Sequence, residues 1–262
     1  MQISNYKEVI MKIVDRIVII GLFLGLILIA LYLSIIPISK NHQFYLNQFK
    51  QNQTIAKTGY TEDELSKIAQ KIIDYLFERT PTLQYHVERL DEDVFSDEAI
   101  LHMEDVRFLF SFGRKGSLIV LIVTILLIIY IVFRFSKLKN IIWRYSLLTW
   151  AFIFFVIVGL ILWTIYLYYR DNYNSFFEAG FILFHKLIFP NQTKFELAIS
   201  FPYDDKLIII LERRFFENIA RSIGIIFISQ IIIIYCAVYF FHRFNHKLKR
   251  LEDFNKEIKS SS

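Results

Sequence analysis

Four apolar runs dictate what this chain can fold into. They are roughly Ile17–Ile36, Ser117–Phe133, Leu147–Tyr168 and Ile223–Phe241, and none contains a charged side chain. A hydrocarbon layer about 30 Å thick takes about 17–25 helical residues, so each run is long enough to cross. Within lipid the backbone must satisfy its own N–H and C=O groups, which a run of this length does as a helix. The second run is at the short end and can cross with little tilt. The first is longer than the apolar part of a cleaved leader, and Pro37-Ile38-Ser39-Lys40 beyond it is no small-residue cleavage site, so it reads as a retained helix. With 55% hydrophobic residues over 262, the chain is too apolar for an ordinary soluble domain. The expected fold is all-α: four transmembrane helices and a helical extracytoplasmic cap built from two outer segments, in a single integral membrane domain over residues 1–262.

Orientation follows from Lys and Arg near the spans. The link between the second and third runs carries Arg134, Lys137, Lys139 and Arg144 and no acid. The N-terminus carries Lys7, Lys12 and Arg16, and the basic tail 242–262 carries Arg243, Lys247, Lys249 and Arg250. All three are expected in the cytoplasm. Segments 37–116 and 169–222 then lie outside. The net charge of +5 is explained by this inside bias, and its placement beside membrane spans excludes a nucleic-acid footprint.

The outer segments read as helices. Thr61, with Glu64 three residues on, forms a capping-box signature, and apolar residues from Leu65 to Phe77 recur at helical spacing until Thr80-Pro81. A second helix is expected from Ser96 or Asp97, separated from its membrane span by Gly113 and Gly116. Phe176–Phe189 is too short to cross and suits a re-entrant or interfacial helix ended by Pro190-Asn191. Lys206–Phe216 reads as one short helix. Gly21 and Gly25 make a small-xxx-small pair for close helix packing. Cys236 is the only cysteine, inside the fourth run with no neighbouring base to make it a thiolate, and is expected to pack.

Two histidines stand apart from the other four. His102 lies in Leu101-His102-Met103-Glu104-Asp105-Val106-Arg107, with Glu98 four residues before and Asp105 three after. A carboxylate at such spacing can fix an imidazole's tautomer and support its charged form. His185 lies among Phe181, Ile182, Leu183, Phe184, Leu187, Ile188 and Phe189. A polar ring there needs a partner or suffers a desolvation cost of about 1–3 kcal/mol. A lone histidine near a membrane is usually structural. Two in the two outer segments can meet at the lipid–water boundary, where paired imidazoles suit proton transfer on a lipid-bearing substrate.

The strings around them carry a family resemblance. His102-Met103-Glu104-Asp105-Val106 resembles the first signature of the bacterial lipoprotein intramolecular transacylases, the Lit family. Phe184-His185-Lys186-Leu187-Ile188-Phe189, followed by Pro190-Asn191, resembles the second. Leu207-Ile208 with Phe215-Phe216 and the layout of four spans with two outer segments are similar too. The resemblance implies a bacterial cell-membrane enzyme with no cofactor and no catalytic metal. Its partners would be membrane lipids and a diacylated lipoprotein, whose N-terminal cysteine carries diacylglycerol on sulfur. The sn-2 acyl chain would move to the cysteine's α-amino group, giving a lyso-form lipoprotein. On this basis His102 and His185 would be the catalytic pair; the residues around them offer Asp105, Glu98, Arg107 and Glu178 as supporting candidates.

Two other readings stay open on the residues alone. One is a non-catalytic membrane protein that binds a lipoprotein or another membrane partner. The other is a metal-dependent hydrolase using His102, His185, Asp105 and Glu178, which lacks any established metal spacing.

Overall fold

The structure, a computed structural model, describes residues 2–139, 141–189, 191, 193, 196, 201–202 and 204–261. The expected helix stop at Pro190 lies outside the described residues. Four helices are long and apolar enough to cross a membrane: α1 (Gln2–Ser39), α5 (Asp97–Phe133), α7 (Ile142–Arg170) and α10 (Arg213–Ser261). Between them lie α2 (His42–Gln51), α3 (Thr54–Thr58), α4 (Glu62–Leu76), α6 (Phe135–Leu138), α8 (Phe176–Ile188) and α9 (Lys206–Ile210). A two-residue antiparallel ladder, β1 (His86–Val87) on β2 (Glu92–Asp93), is the one sheet among the described residues. The class is all-α with four candidate spans.

The chain divides into two compact units, residues 1–31, 117–157 and 226–262 in the first and 32–116 and 158–225 in the second. In the first, Ile19 and Phe23 of α1 pack with Ile131, Leu138 and Ile142. Outward residues such as Leu126, Phe155 and Ile233 stay exposed, the surface that lipid would cover. Cys236 is among these exposed residues, so the expected packing role is corrected: its side chain faces outward from the span.

The second unit has a globular core. Thr61 and Glu64 form the full capping box of α4, and Leu65, Ile68, Ala69 and Ile72 are buried against Tyr45, Phe49, Leu83 and Phe95. The helix ends at Leu76, not at Thr80-Pro81. Glu78 takes a left-handed φ of 59°, and the Arg79 N–H reaches back to the Asp74 carbonyl. This is a glycine-type stop made without glycine, which is why the sequence hides it.

Two further expectations change. Gly113 and Gly116 do not break the chain: α5 is continuous for 37 residues, about 55 Å at 1.5 Å per residue. A helical glycine costs only about 1 kcal/mol, too little to interrupt so long a hydrogen-bonded ladder. The apolar run of α5 opens at Ser117, and His102 lies on the part of the helix before it. The Lys206–Phe216 stretch is not one helix. It breaks at Leu211–Glu212, where Glu212 pairs with Lys57, and α10 starts afresh at Arg213.

Gly25 shows why α1 carries small residues. A Cβ there would stand 2.3 Å from Oγ1 of Thr124 on α5, itself bonded to the Val120 carbonyl at 2.7 Å. Gly25→Ala is expected to cost about 1–3 kcal/mol by overpacking. Gly113→Ala, which meets nothing within 4 Å, should be neutral or stabilising. Thermal unfolding in detergent tests the contrast, and Thr124→Ala should restore stability to Gly25→Ala. Equal melting of the two glycine variants would refute the close contact.

Candidate active site

α5 and α8 bring the two singled-out histidines together. Their ring centroids lie 6.3 Å apart, with the planes 26° from parallel. His102 projects from the second turn of α5, and the neighbouring Ala99 and Met103 anchor that turn in the core. His185 sits in the last turn of α8, whose Ala179 and Leu183 pack on Leu167 of α7. Ser175 caps α8 by accepting from the Glu178 N–H at 3.1 Å.

Aromatic rings wall the pair. Phe189 lies 6.0 Å from His102 and 5.9 Å from His185, and Phe201 closes on His102 at 5.5 Å. Phe181 is 4.0 Å from His185 between centroids. His185 is 6% exposed. Burial holds both imidazoles below the usual histidine range, His102 to about 4. For His102 a second charge on His185 acts in the same direction, and the Asp105 carboxylate opposes it. The pair therefore rests neutral near pH 7.

One hydrogen bond sets the chemistry. Nδ1 of His185 is 2.8 Å from the Phe181 carbonyl, one turn earlier. A carbonyl can only accept, so Nδ1 carries the proton and Nε2 of the neutral ring keeps its lone pair. His185 is thus held as a base. Among the described residues the two rings share no hydrogen bond with each other.

The supporting residues named from sequence fare differently. Asp105 is half-buried and acts on His102 through its charge. Glu98 is exposed, and no hydrogen bond or ion pair among the described residues joins it to His102. Arg107 donates to the Pro81 carbonyl at 3.0 Å and lies over the Tyr75 ring, away from the pair. Glu178 accepts from the Asn174 N–H at 3.1 Å, a helix-start role. No group of three or more His, Cys, Asp or Glu among the described residues is placed to hold a metal ion. Sequence reasoning missed the Phe181 carbonyl and the Phe201 ring. The first had a signal in its i−4 spacing from His185, and the second had none.

A four-span helical membrane protein with two neutral, apolar-walled imidazoles is a candidate proton-transfer enzyme for lipid-bearing substrates. The chain belongs to the lipoprotein intramolecular transacylase Lit family, whose pattern it matches over residues 19–216. It is accordingly a membrane transacylase for lipoproteins, an acyltransferase. Solved structures of the Bacillus cereus enzyme of that name share the fold. One, at 20% identity, superposes with a TM-score of 0.61 and covers 91% of this chain and 98% of the other. A variant of it with one histidine replaced by arginine, at 19% identity, gives 0.66 over 95% and 99%. No curated protein matches the chain.

Proposed function

We propose that the protein moves the sn-2 acyl chain of a diacylglyceryl lipoprotein onto the α-amino group of the same molecule's N-terminal cysteine. The observation that carries this reading is the 2.8 Å contact of His185 Nδ1 with the Phe181 carbonyl, which assigns Nε2 as a proton acceptor next to a second imidazole. The neutral amine attacks the ester carbonyl and a C–N bond forms. The amine proton passes to Nε2 of His185. His102 donates a hydrogen bond to the oxyanion, the bond to the glycerol oxygen breaks, and that oxygen takes the proton. The products are an amide and a free sn-2 hydroxyl, with no net proton change. Amine and ester belong to one molecule, so the site's main task is to hold them in reactive geometry. Asp105 supports His102 through its charge. Glu98, Arg107 and Glu178 act at most through the helices that carry the pair.

In this reading the whole chain acts as a single membrane domain in a bacterial cell membrane, among its lipids, with both termini cytoplasmic and the site at the outer face. The cations in 134–144 and in the tail support this threading. Cysteines placed at exposed Glu62 and Asp171 should react with an impermeant thiol reagent in intact protoplasts, whereas one at Lys137 should not. The reverse pattern would overturn the topology. The reaction is tested with a synthetic diacylglyceryl lipopeptide and purified protein. Tandem mass spectrometry should find one acyl chain moved from glycerol to nitrogen at unchanged total mass. A product lighter by one acyl chain would identify a hydrolase instead.

A further inference from the structure

A second recess lies on the far side of α5 from the histidines. At 100° per residue, Glu104, Arg107, Phe108, Ser111 and Lys115 fall on one helical face, roughly opposite His102. They line a cavity of about 360 Å³ whose other wall is Tyr75, Glu78 and Pro81. The proposed reaction uses none of this surface directly, and Arg107 enters it only through the helix that carries His102.

Its charges are built and ordered. The Arg107 guanidinium is fixed by the Pro81 carbonyl and by the Tyr75 ring, 4.7 Å from its centroid. Glu78 is held below the usual carboxylate range, first by the Ser111 hydroxyl and then by Arg114 and Lys115. Glu104 and Lys115 are exposed at opposite ends of the recess. Lys115 stands two residues before the apolar run that opens at Ser117, so its end lies at the hydrocarbon boundary. Glu104 lies eleven residues earlier, on the water side. Phe108 and Phe112 stack beside the recess at 6.3 Å and are 66% and 67% exposed, as interfacial aromatics are.

We infer that this recess binds the headgroup of a membrane phospholipid that carries both a phosphate and an ammonium group. The phosphate sits between Arg107 and Lys115, while the Glu78 carboxylate on the facing wall stays paired with Arg114 and the Ser111 hydroxyl. The ammonium group points away from the hydrocarbon, toward Glu104. The order of charges along α5 matches the order along such a lipid: acyl chains, then phosphate, then amine. An anionic lipid without the amine leaves Glu104 unanswered, and a diacylglycerol answers neither end.

Native mass spectrometry of the full-length protein in mild detergent tests this with three added lipids: phosphatidylethanolamine, phosphatidylglycerol and diacylglycerol. The expected order of retention is the first well above the second, and the third not retained. Lys115→Ala should weaken both phospholipids by about tenfold, the loss of one charge-assisted contact. Glu104→Gln should remove the preference for phosphatidylethanolamine over phosphatidylglycerol and leave retention of phosphatidylglycerol at least as strong. Equal retention of all three lipids by the wild-type protein would overturn the proposal without any variant. So would unchanged retention and preference in both folded variants. Competition by inorganic phosphate as strong as by lipid would reassign the recess to a free anion.

Discussion

His185→Ala and His102→Ala are each expected to stop acyl migration while leaving the protein folded and inserted. General acid–base assistance by one group typically contributes about 10²–10⁴-fold, so the loss should be of that order in either single variant. The two rings stand 6.3 Å apart and serve one proton path. The double variant should therefore be little worse than either single, because groups that act as a unit are strongly non-additive. Asp105→Asn removes only a charge that supports His102, and its effect should be smaller than either histidine loss. The lipopeptide assay reads all four. Full activity in either histidine variant would sink the pair. Losses that multiply would assign the rings to independent roles, one binding and one catalytic.

The same burial fixes a pH signature. Both imidazoles are held below the ordinary histidine value of about 6.5. They are already neutral above that pH, so the catalytic base needs no further deprotonation there. The substrate's α-amino group, with a reference value of about 7.7–8.0, still does. Activity should rise with one inflection near that higher value and show none near 6.5. The stability sign runs the other way from that of a histidine whose pKa is raised by an ion pair. Below about pH 6.5 the unfolded chain binds protons that the folded pair resists, so stability falls as pH drops from there toward the folded values. An inflection in rate at 6.5 that vanishes in His185→Ala would show a base that titrates normally.

What the sequence could show depended on how local the signal was. The spans were legible because lipid imposes a length and a composition on every crossing segment. The α4 capping box was legible because its partners are three residues apart. The histidine pair was legible as two strings, but its approach was not, since it depends on α5 and α8 meeting through separate elements. The glycines of α5 misled because local propensity is weak against a long continuous helix. Phe201 over His102 is a contact between distant segments with no periodicity to announce it. Arg107 and Glu178 were plausible by spacing, yet tertiary partners at Pro81 and Asn174 take them elsewhere.

The largest stability effect is expected in the first unit, at Asp15. It stands just before the first apolar run and Arg134 just after the second, so antiparallel helices place both at one end of the first unit. Asp15 is 5% exposed and bonds Arg134 at 2.8 Å through one oxygen and the Tyr130 hydroxyl at 2.8 Å through the other. Removing one partner of such a pair leaves the other charge without its counter-ion, so Asp15→Ala should lower the unfolding midpoint in detergent by several degrees. Asp15→Ala combined with Arg134→Leu removes both charges and should recover most of the loss, because an apolar pair often replaces a buried ion pair without penalty. A double variant no more stable than Asp15→Ala would show that the single loss came from packing, and a shift below about 2 °C for Asp15→Ala would show that the pair is not buried in the membrane protein.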